Sequence, residues 1–260
     1  MSRAMTLLPV ALLVAGCLPQ PVTAEGRDIT ATYTIFLIAA AVVAAIVLGS
    51  TTWAIVRYRR GRVPDLPVQT RGNVRAEAIW TFLPAVTVVG LFIVTVLTLV
   101  RIDSPDAAPG AEVEVSAFRW GWTFRYPEED ITVSGIGAPG PEIVVPVDEP
   151  VRFRISAADV IHSFYVPAFL QKRDANPGRE NVMQVTIEEP GTYRGQCAEF
   201  CGLYHWRMPF AVRAVAREEY EAWLAEQPRG ADPSVPVGSP LASDPGLSPA
   251  PTAGQPLESP

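Results

Sequence analysis

At 260 residues, with 48% hydrophobic and 18% charged residues, the chain is long enough for one or two domains and less charged than an ordinary soluble one. Its net charge of −6, with basic residues clustered only in one short loop, excludes a nucleic-acid binder. Three cysteines exclude a disulfide-built scaffold, and with two histidines any metal site must use nearly all the soft ligands present.

Residues 1–16 carry one early Arg and a short apolar run ending in small residues, the pattern of a signal peptide too short to span a bilayer. Val14-Ala15-Gly16-Cys17 resembles a bacterial lipobox, so Cys17 is expected to be lipidated as the mature N-terminus. The alternative, an ordinary signal peptide containing a cysteine, leaves Cys17 without a purpose. Residues 33–100 read as a transmembrane helical hairpin. Tyr33–Val56 and Ala78–Val100 are both uncharged, and at about 1.5 Å per residue each crosses the roughly 30 Å hydrocarbon core. Pro84 is tolerable in such a helix. The connection between them holds Arg57, Arg59, Arg60, Arg62, Arg71 and Arg75 against Asp65 and Glu77. The positive-inside rule places this loop in the cytoplasm and both outer ends outside.

Residues 102–227 form the extracytoplasmic part, with 20 acidic and 11 basic residues. Alternating or β-branched runs recur at Glu112–Ala117, Trp120–Tyr126, Glu142–Val145, Val151–Ile155, His162–Val166, Val182–Ile187, Thr192–Gly195 and Pro209–Val215, separated by Pro, Gly and Asp turns. This pattern predicts an antiparallel sandwich or barrel, closed by one helix over Arg217–Glu226. Residues 228–260 hold 9 Pro and almost no large apolar side chains, and are expected to be a disordered tail.

The chemistry is concentrated in Gln196-Cys197-Ala198-Glu199-Phe200-Cys201-Gly202-Leu203-Tyr204-His205-Trp206-Arg207-Met208-Pro209. The second histidine, His162, lies upstream in a strand-like stretch. Two thiolates, two imidazoles and a thioether make a soft donor set that favours copper. A Cys197–Cys201 disulfide would leave His162, His205 and Met208 unexplained. A structural Cys2His2 zinc site has no use for Met208, and a mononuclear blue-copper site leaves one thiolate spare. A dinuclear copper site uses every donor. Two bridging thiolates would hold two ions close together, each taking one imidazole, with Met208 sulfur and a main-chain carbonyl as weak ligands. Such a pair shares one unpaired electron and suits fast single-electron transfer.

At these residues the sequence resembles subunit II of haem–copper cytochrome c oxidases over about Tyr33 to Glu226. The resemblance rests on Asp159-Val-Ile-His162-Ser-Phe, on Lys172-Arg-Asp174-Ala-Asn-Pro177-Gly178-Arg179, and on Cys-x3-Cys-x3-His-x2-Met-Pro. It implies a two-helix transmembrane hairpin followed by an all-β cupredoxin-like extracytoplasmic domain in a bacterial inner membrane. It also implies the CuA centre, with His162, Cys197, Cys201, His205 and Met208 as side-chain ligands and Glu199 giving its carbonyl oxygen. The Glu199 carboxylate would bind a magnesium ion shared with subunit I. Phe118-Arg119-Trp120-Gly121-Trp122-Thr123-Phe124-Arg125-Tyr126 is similar to the family's aromatic segment, which places acceptance of electrons from cytochrome c on Trp120. One or two of its five aromatics are expected in the core, and Arg119 stands where the family usually has Gln. Glu77, in Glu77-Ala-Ile-Trp80-Thr81-Phe-Leu-Pro84, matches a glutamate near a proton path into subunit I. A carboxylate there also suits the helix dipole.

The implied function is delivery of electrons from cytochrome c to haem in subunit I, where O2 is reduced to water with proton pumping; this chain alone would catalyse nothing. Subunits I and III, cytochrome c and membrane lipid are the implied partners. The acidic excess of the outer domain would steer a basic partner, or simply keep it soluble. Asp159 is a candidate docking residue, and Lys172 and Asp174 are candidates for the subunit interface. Nitrous oxide reductase shares the copper motif but is a large histidine-rich soluble enzyme. A quinol-oxidase subunit II lacks the two cysteines, and no Cys-x2-Cys-His occurs to attach a c-type haem. A purely structural module is the remaining rival.

Overall fold

The computed structural model describes residues 19–59, 71–104 and 108–230. The signal peptide, Cys17, most of the arginine-rich loop and residues 231–260 lie outside the described residues. Long apolar sequence with no internal charge produces two helices, α1 (Ala24–Arg57) and α2 (Val74–Asp103), each long and apolar enough to cross a membrane. α2 continues through Pro84. The hydroxyls of Thr32 and Thr98, 2.8 Å apart, tie the two together.

α1 starts well before its uncharged stretch because its first turns belong to the outer domain. Thr23 caps the helix by accepting from the Gly26 N–H at 2.9 Å, and both residues are buried. Glu188 N–H donates to the Val22 carbonyl at 2.9 Å, and Thr186 N–H donates to the Glu25 carboxylate at 2.9 Å. Arg27 pairs with Glu188, Arg101 with Asp28 at 3.2 Å, and Arg173 with Asp103. The β domain is thereby fastened to the outer end of the hairpin.

The outer domain consists of strands β1 (Ala111–Phe118), β2 (Gly121–Tyr126), β3 (Ile131–Ile136), β4 (Glu142–Pro146), β5 (Pro150–Ala157), β6 (His162–Val166), β7 (Gln171–Ala175), β8 (Asn181–Thr186), β9 (Gly191–Cys197) and β10 (Pro209–Val215), followed by α3 (Arg217–Glu226). They make two five-stranded sheets, ordered β3-β2-β1-β5-β8 and β4-β10-β9-β6-β7. This is the all-β cupredoxin-like domain behind a helical hairpin. The expectation of an antiparallel sandwich needs correcting: β1 lies parallel to β5, and β4 parallel to β10. Alternation along a strand reports which side is buried but not the direction of a neighbour distant in sequence. β3 and β7 were not expected. β7 (Gln-Lys-Arg-Asp-Ala) is an edge strand with almost no apolar alternation and is held by pairing with β6.

The core lies between the sheets. β1 turns Val113, Val115 and Ala117 inward, while Glu112, Glu114 and Ser116 face outward. Phe164 stacks on Phe210 with centroids 4.6 Å apart, and Trp122 meets Phe210 edge-on at 5.0 Å. Of the five aromatics in the β1–β2 segment, Trp122, Phe124 and Tyr126 are fully buried, more than the one or two expected. Past α3, Arg229 bridges to Ile131, and Gly230 N–H donates to the Asp130 carbonyl.

Candidate metal centre

β6 delivers His162, β9 ends at Cys197, and the loop between β9 and β10 carries the remaining donors. This loop is anchored at both ends. Ala198 N–H donates to the Ser163 carbonyl at 3.1 Å. The Met208 carbonyl accepts both the Cys197 N–H at 3.2 Å and the indole N–H of buried Trp122 at 3.1 Å. His162, Cys197, Cys201 and Met208 are all buried.

The two sulfurs stand 3.9 Å apart and both cysteines are free, well beyond the bonded S–S distance of about 2.05 Å. His162 Nδ1 is 3.8 Å from Cys197 Sγ, and His205 Nδ1 is 3.6 Å from Cys201 Sγ. Met208 Sδ lies 3.4 Å from Cys201 Sγ, and the Glu199 carbonyl oxygen 3.2 Å from Cys197 Sγ. The donor atoms of His162, Cys197 and Cys201 fall within 4.8 Å of one another and could hold a metal ion. His162 Nε2–H donates to Asp159 Oδ1 at 2.9 Å, which leaves Nδ1 free to ligate.

The electrostatics separate the two thiols. Burial raises the Cys197 pKa, but His162, the main chain of Ser163 and Glu199, and His205 together bring it down to about 6. Burial and then the neighbouring Cys197 push Cys201 up to about 12, because two adjacent thiolates repel when nothing positive lies between them. Burial alone would lower the pKa of His162, yet Cys197 and Asp159 raise it. Asp159 is held down to about 2: burial opposes this, and the bonds from His162, Val160 N–H and Arg119 overcome it. Soft, clustered donors of this kind fit copper.

Trp120 is half-buried beside this loop. A Cβ on Gly202 would lie 3.3 Å from its Cζ2, so the indole rests on the residue next to Cys201, and φ of +121° at Gly202 makes glycine the suitable residue there. Tyr204 meets Trp120 edge-on, with centroids 4.9 Å apart. Phe200, Leu203 and Trp206 are strongly exposed on the same loop. The Glu199 carboxylate accepts from Lys172. Glu77 is not brought to this site. It lies in the first turn of α2, at the end of the hairpin opposite the β domain, where its carboxylate accepts from the Asn73 N–H at 3.3 Å. Many outer-domain acids are already paired, Glu112 and Glu114 with Arg152, Arg154 and Arg125 among them. Asp159 is likewise paired with Arg119.

A family model described as "Cytochrome C oxidase subunit II, periplasmic domain" matches residues 136–215. A Nocardia farcinica protein named "Probable cytochrome c oxidase subunit 2" is 32% identical over 302 residues, covering 87% of this chain and 80% of its own. The chain belongs to the cytochrome c oxidase subunit II family. Cytochrome c oxidase subunit 2 of Alkalihalophilus pseudofirmus is 33% identical, covering 86% of this chain and 67% of that protein. The crystal structure of the periplasmic domain of cytochrome oxidase subunit II from Bradyrhizobium japonicum is 34% identical, with a TM-score of 0.45, covering 46% of this chain and 95% of that one. As a subunit II, the chain is part of a cytochrome c oxidase, and its two apolar helices ahead of a periplasmic-type domain fit a membrane protein.

Sequence reasoning did not find the Trp122 bond to the Met208 carbonyl, the Trp120 contact with Gly202, or the bonds of Asp159. The Asp-x-x-His spacing was the available signal for the last of these, since it brings a carboxylate back to the imidazole across a turn.

Proposed function

We propose that this chain is the electron-accepting subunit of a bacterial cytochrome c oxidase, taking electrons from cytochrome c at a dinuclear copper centre and delivering them to haem in subunit I, where O2 is reduced to water with proton pumping. The observation that carries the reading is the pair of unbonded sulfurs 3.9 Å apart, each with an imidazole Nδ1 beside it at 3.8 or 3.6 Å. Copper bound there would supply one-electron chemistry, taking up and releasing an electron with little rearrangement of the donors. His162, Cys197, Cys201, His205, Met208 Sδ and the Glu199 carbonyl would hold it. The anchored loop and buried strands keep these donors in place in either oxidation state.

Trp120, against Gly202 and Tyr204, is the residue through which an electron from cytochrome c reaches the ligand loop. The Glu199 carboxylate serves a magnesium ion shared with subunit I, which requires Lys172 to release it on assembly. Glu77 takes a proton-path role at the opposite membrane surface in addition to its bond at the helix start. The arginine-rich loop lies in the cytoplasm and the copper domain on the outer face of the inner membrane. Residues 1–16 are removed, Cys17 carries lipid, and residues 102–227 form the copper domain. Subunits I and III, cytochrome c and lipid are its partners, and the chain alone catalyses no reaction.

The test is to purify the full chain in detergent, load it with copper, and record absorption and electron paramagnetic resonance. A purple protein with a mixed-valence signal from one electron shared by two coppers is expected. Colourless protein holding one zinc ion, or a Cys197–Cys201 disulfide that persists under reductant, would defeat the reading.

A further inference from the structure

One carboxylate spans the space between the Trp120 turn and the metal-ligand strand. Asp159 lies in the turn between β5 and β6, and each of its oxygens accepts two hydrogen bonds. Oδ1 takes the Val160 N–H at 2.7 Å and the His162 Nε2–H at 2.9 Å. Oδ2 takes the Arg119 main-chain N–H at 2.9 Å and the Arg119 Nε–H at 3.0 Å. Arg119 immediately precedes Trp120 in the turn between β1 and β2, which belong to one sheet, whereas β6 belongs to the other. The bond from Ala158 N–H to the Ala117 carbonyl at 2.9 Å brings the two turns together beneath the carboxylate.

We infer that Asp159 is a positioning residue that locks the Trp120 turn to His162, fixing the ring and the indole relative to each other. The inference rests on the copper reading above. Two consequences follow from the bonding. A negative charge on Nε2–H makes Nδ1 a stronger donor and favours the more oxidised metal, so the charge holds the midpoint potential down. The other oxygen holds Arg119, and through the chain Trp120, against the Cys201–Gly202 segment. Asparagine has the same shape but only one acceptor oxygen, so it cannot serve both pairs of donors. Whichever way its amide turns, either the His162 side or the Arg119 side faces an NH2 group.

The experiment compares the full chain in detergent with Asp159→Asn, both loaded with copper. Expected for the variant are copper affinity 10- to 100-fold weaker by chelator competition, a higher midpoint potential, and reduction by a soluble cytochrome c slowed about tenfold. Slower reduction despite a larger driving force is the signature of a displaced Trp120. A purely structural carboxylate would lower the melting temperature and leave potential and rate unchanged, which would overturn the inference. A rate that rises with the potential would overturn the link to Trp120. The Asp159→Glu variant keeps the charge on a longer arm and is expected to recover part of the potential shift. An unaltered potential in both variants sinks the idea. In the metal-free chain, the His162 Nε2–H resonance should be downfield and protected from exchange, and lose both properties in Asp159→Ala, which has no acceptor. This readout does not depend on which metal the site takes. If the parent chain forms no dinuclear copper centre, the copper reading fails separately, and an unchanged resonance in Asp159→Ala would overturn the positioning role.

Discussion

Replacing Trp122 by Phe tests whether the floor of the metal loop is held by the core. The indole is fully buried between the sheets, and its N–H donates to the Met208 carbonyl at 3.1 Å. Losing that bond costs about 1 kcal/mol, because the carbonyl keeps the Cys197 N–H at 3.2 Å and is not left bare. The phenyl ring is smaller by about 35 Å³, and at about 24 cal/mol per Å³ the residual void costs about 0.8 kcal/mol. Lost burial of the missing ring atoms adds about 1 kcal/mol. The sum is about 3 kcal/mol. For a domain of this size about 4 °C accompanies each kcal/mol, so the melting temperature should fall by about 12 °C. The assay is thermal unfolding of the full chain in detergent, followed by near-ultraviolet circular dichroism, which reports the packed aromatics. Copper loading at room temperature should be unaffected, since no donor side chain moves. A fall of less than 3 °C would show that Trp122 does not brace the loop. A folded variant unable to take copper would show that the contact shapes the donors directly.

Trp120→Phe should behave in the opposite way. Its half-buried indole contributes less than about 1 kcal/mol to stability, but reduction by cytochrome c should slow at least tenfold with the copper spectrum unchanged; an unaltered rate would remove Trp120 from the electron route. Met208→Leu conserves volume at a buried site and should cost less than about 1.5 kcal/mol. Copper should largely remain while potential and transfer rate change, and loss of all metal with misfolding would contradict a weak-ligand role. Tyr220 is buried with no hydrogen-bond partner for its hydroxyl among the described residues, and burial, then Glu129, raise its pKa above 10.0 against the opposing Arg217. Above pH 10 the unfolded phenol has lost its proton while the folded one keeps it, so its contribution is whole below pH 10 and is lost as pH rises toward the folded value. Tyr220→Phe should therefore leave stability at pH 7 equal or higher and flatten the alkaline decline, as read by urea titrations of the outer domain at pH 8 and 11. A steeper decline would refute the assignment.

The features legible in the sequence are those written in local residue order. Uncharged stretches announced both long helices, alternation announced eight of the strands, and Cys-x3-Cys-x3-His-x2-Met placed four donors within one short segment. What was hidden depends on chain segments far apart. The parallel pairing of β1 with β5 leaves no mark in either strand, because the same inward side chains fit either direction. β7 was invisible because a polar edge strand next to β6 has little to bury. α1 was read from its apolar run alone, so its first turns, which bind β8 and its following turn, were not assigned to it. Asp159 read as a surface acid suited to docking, and only the fold shows its carboxylate occupied by four donors.

The splice between the start of α1 and the β domain bears on how freely the domain can move on its stalk. A globule joined to its helical stalk by a slack tether would sway, and its metal-ligand loop would sample a wide range of heights. Val22 and Thr23 are instead stitched to the turn after β8, Asp103 is gripped by Arg173, and Arg101 reaches Asp28. Height and tilt of the β domain over the two helices are therefore set by the chain itself.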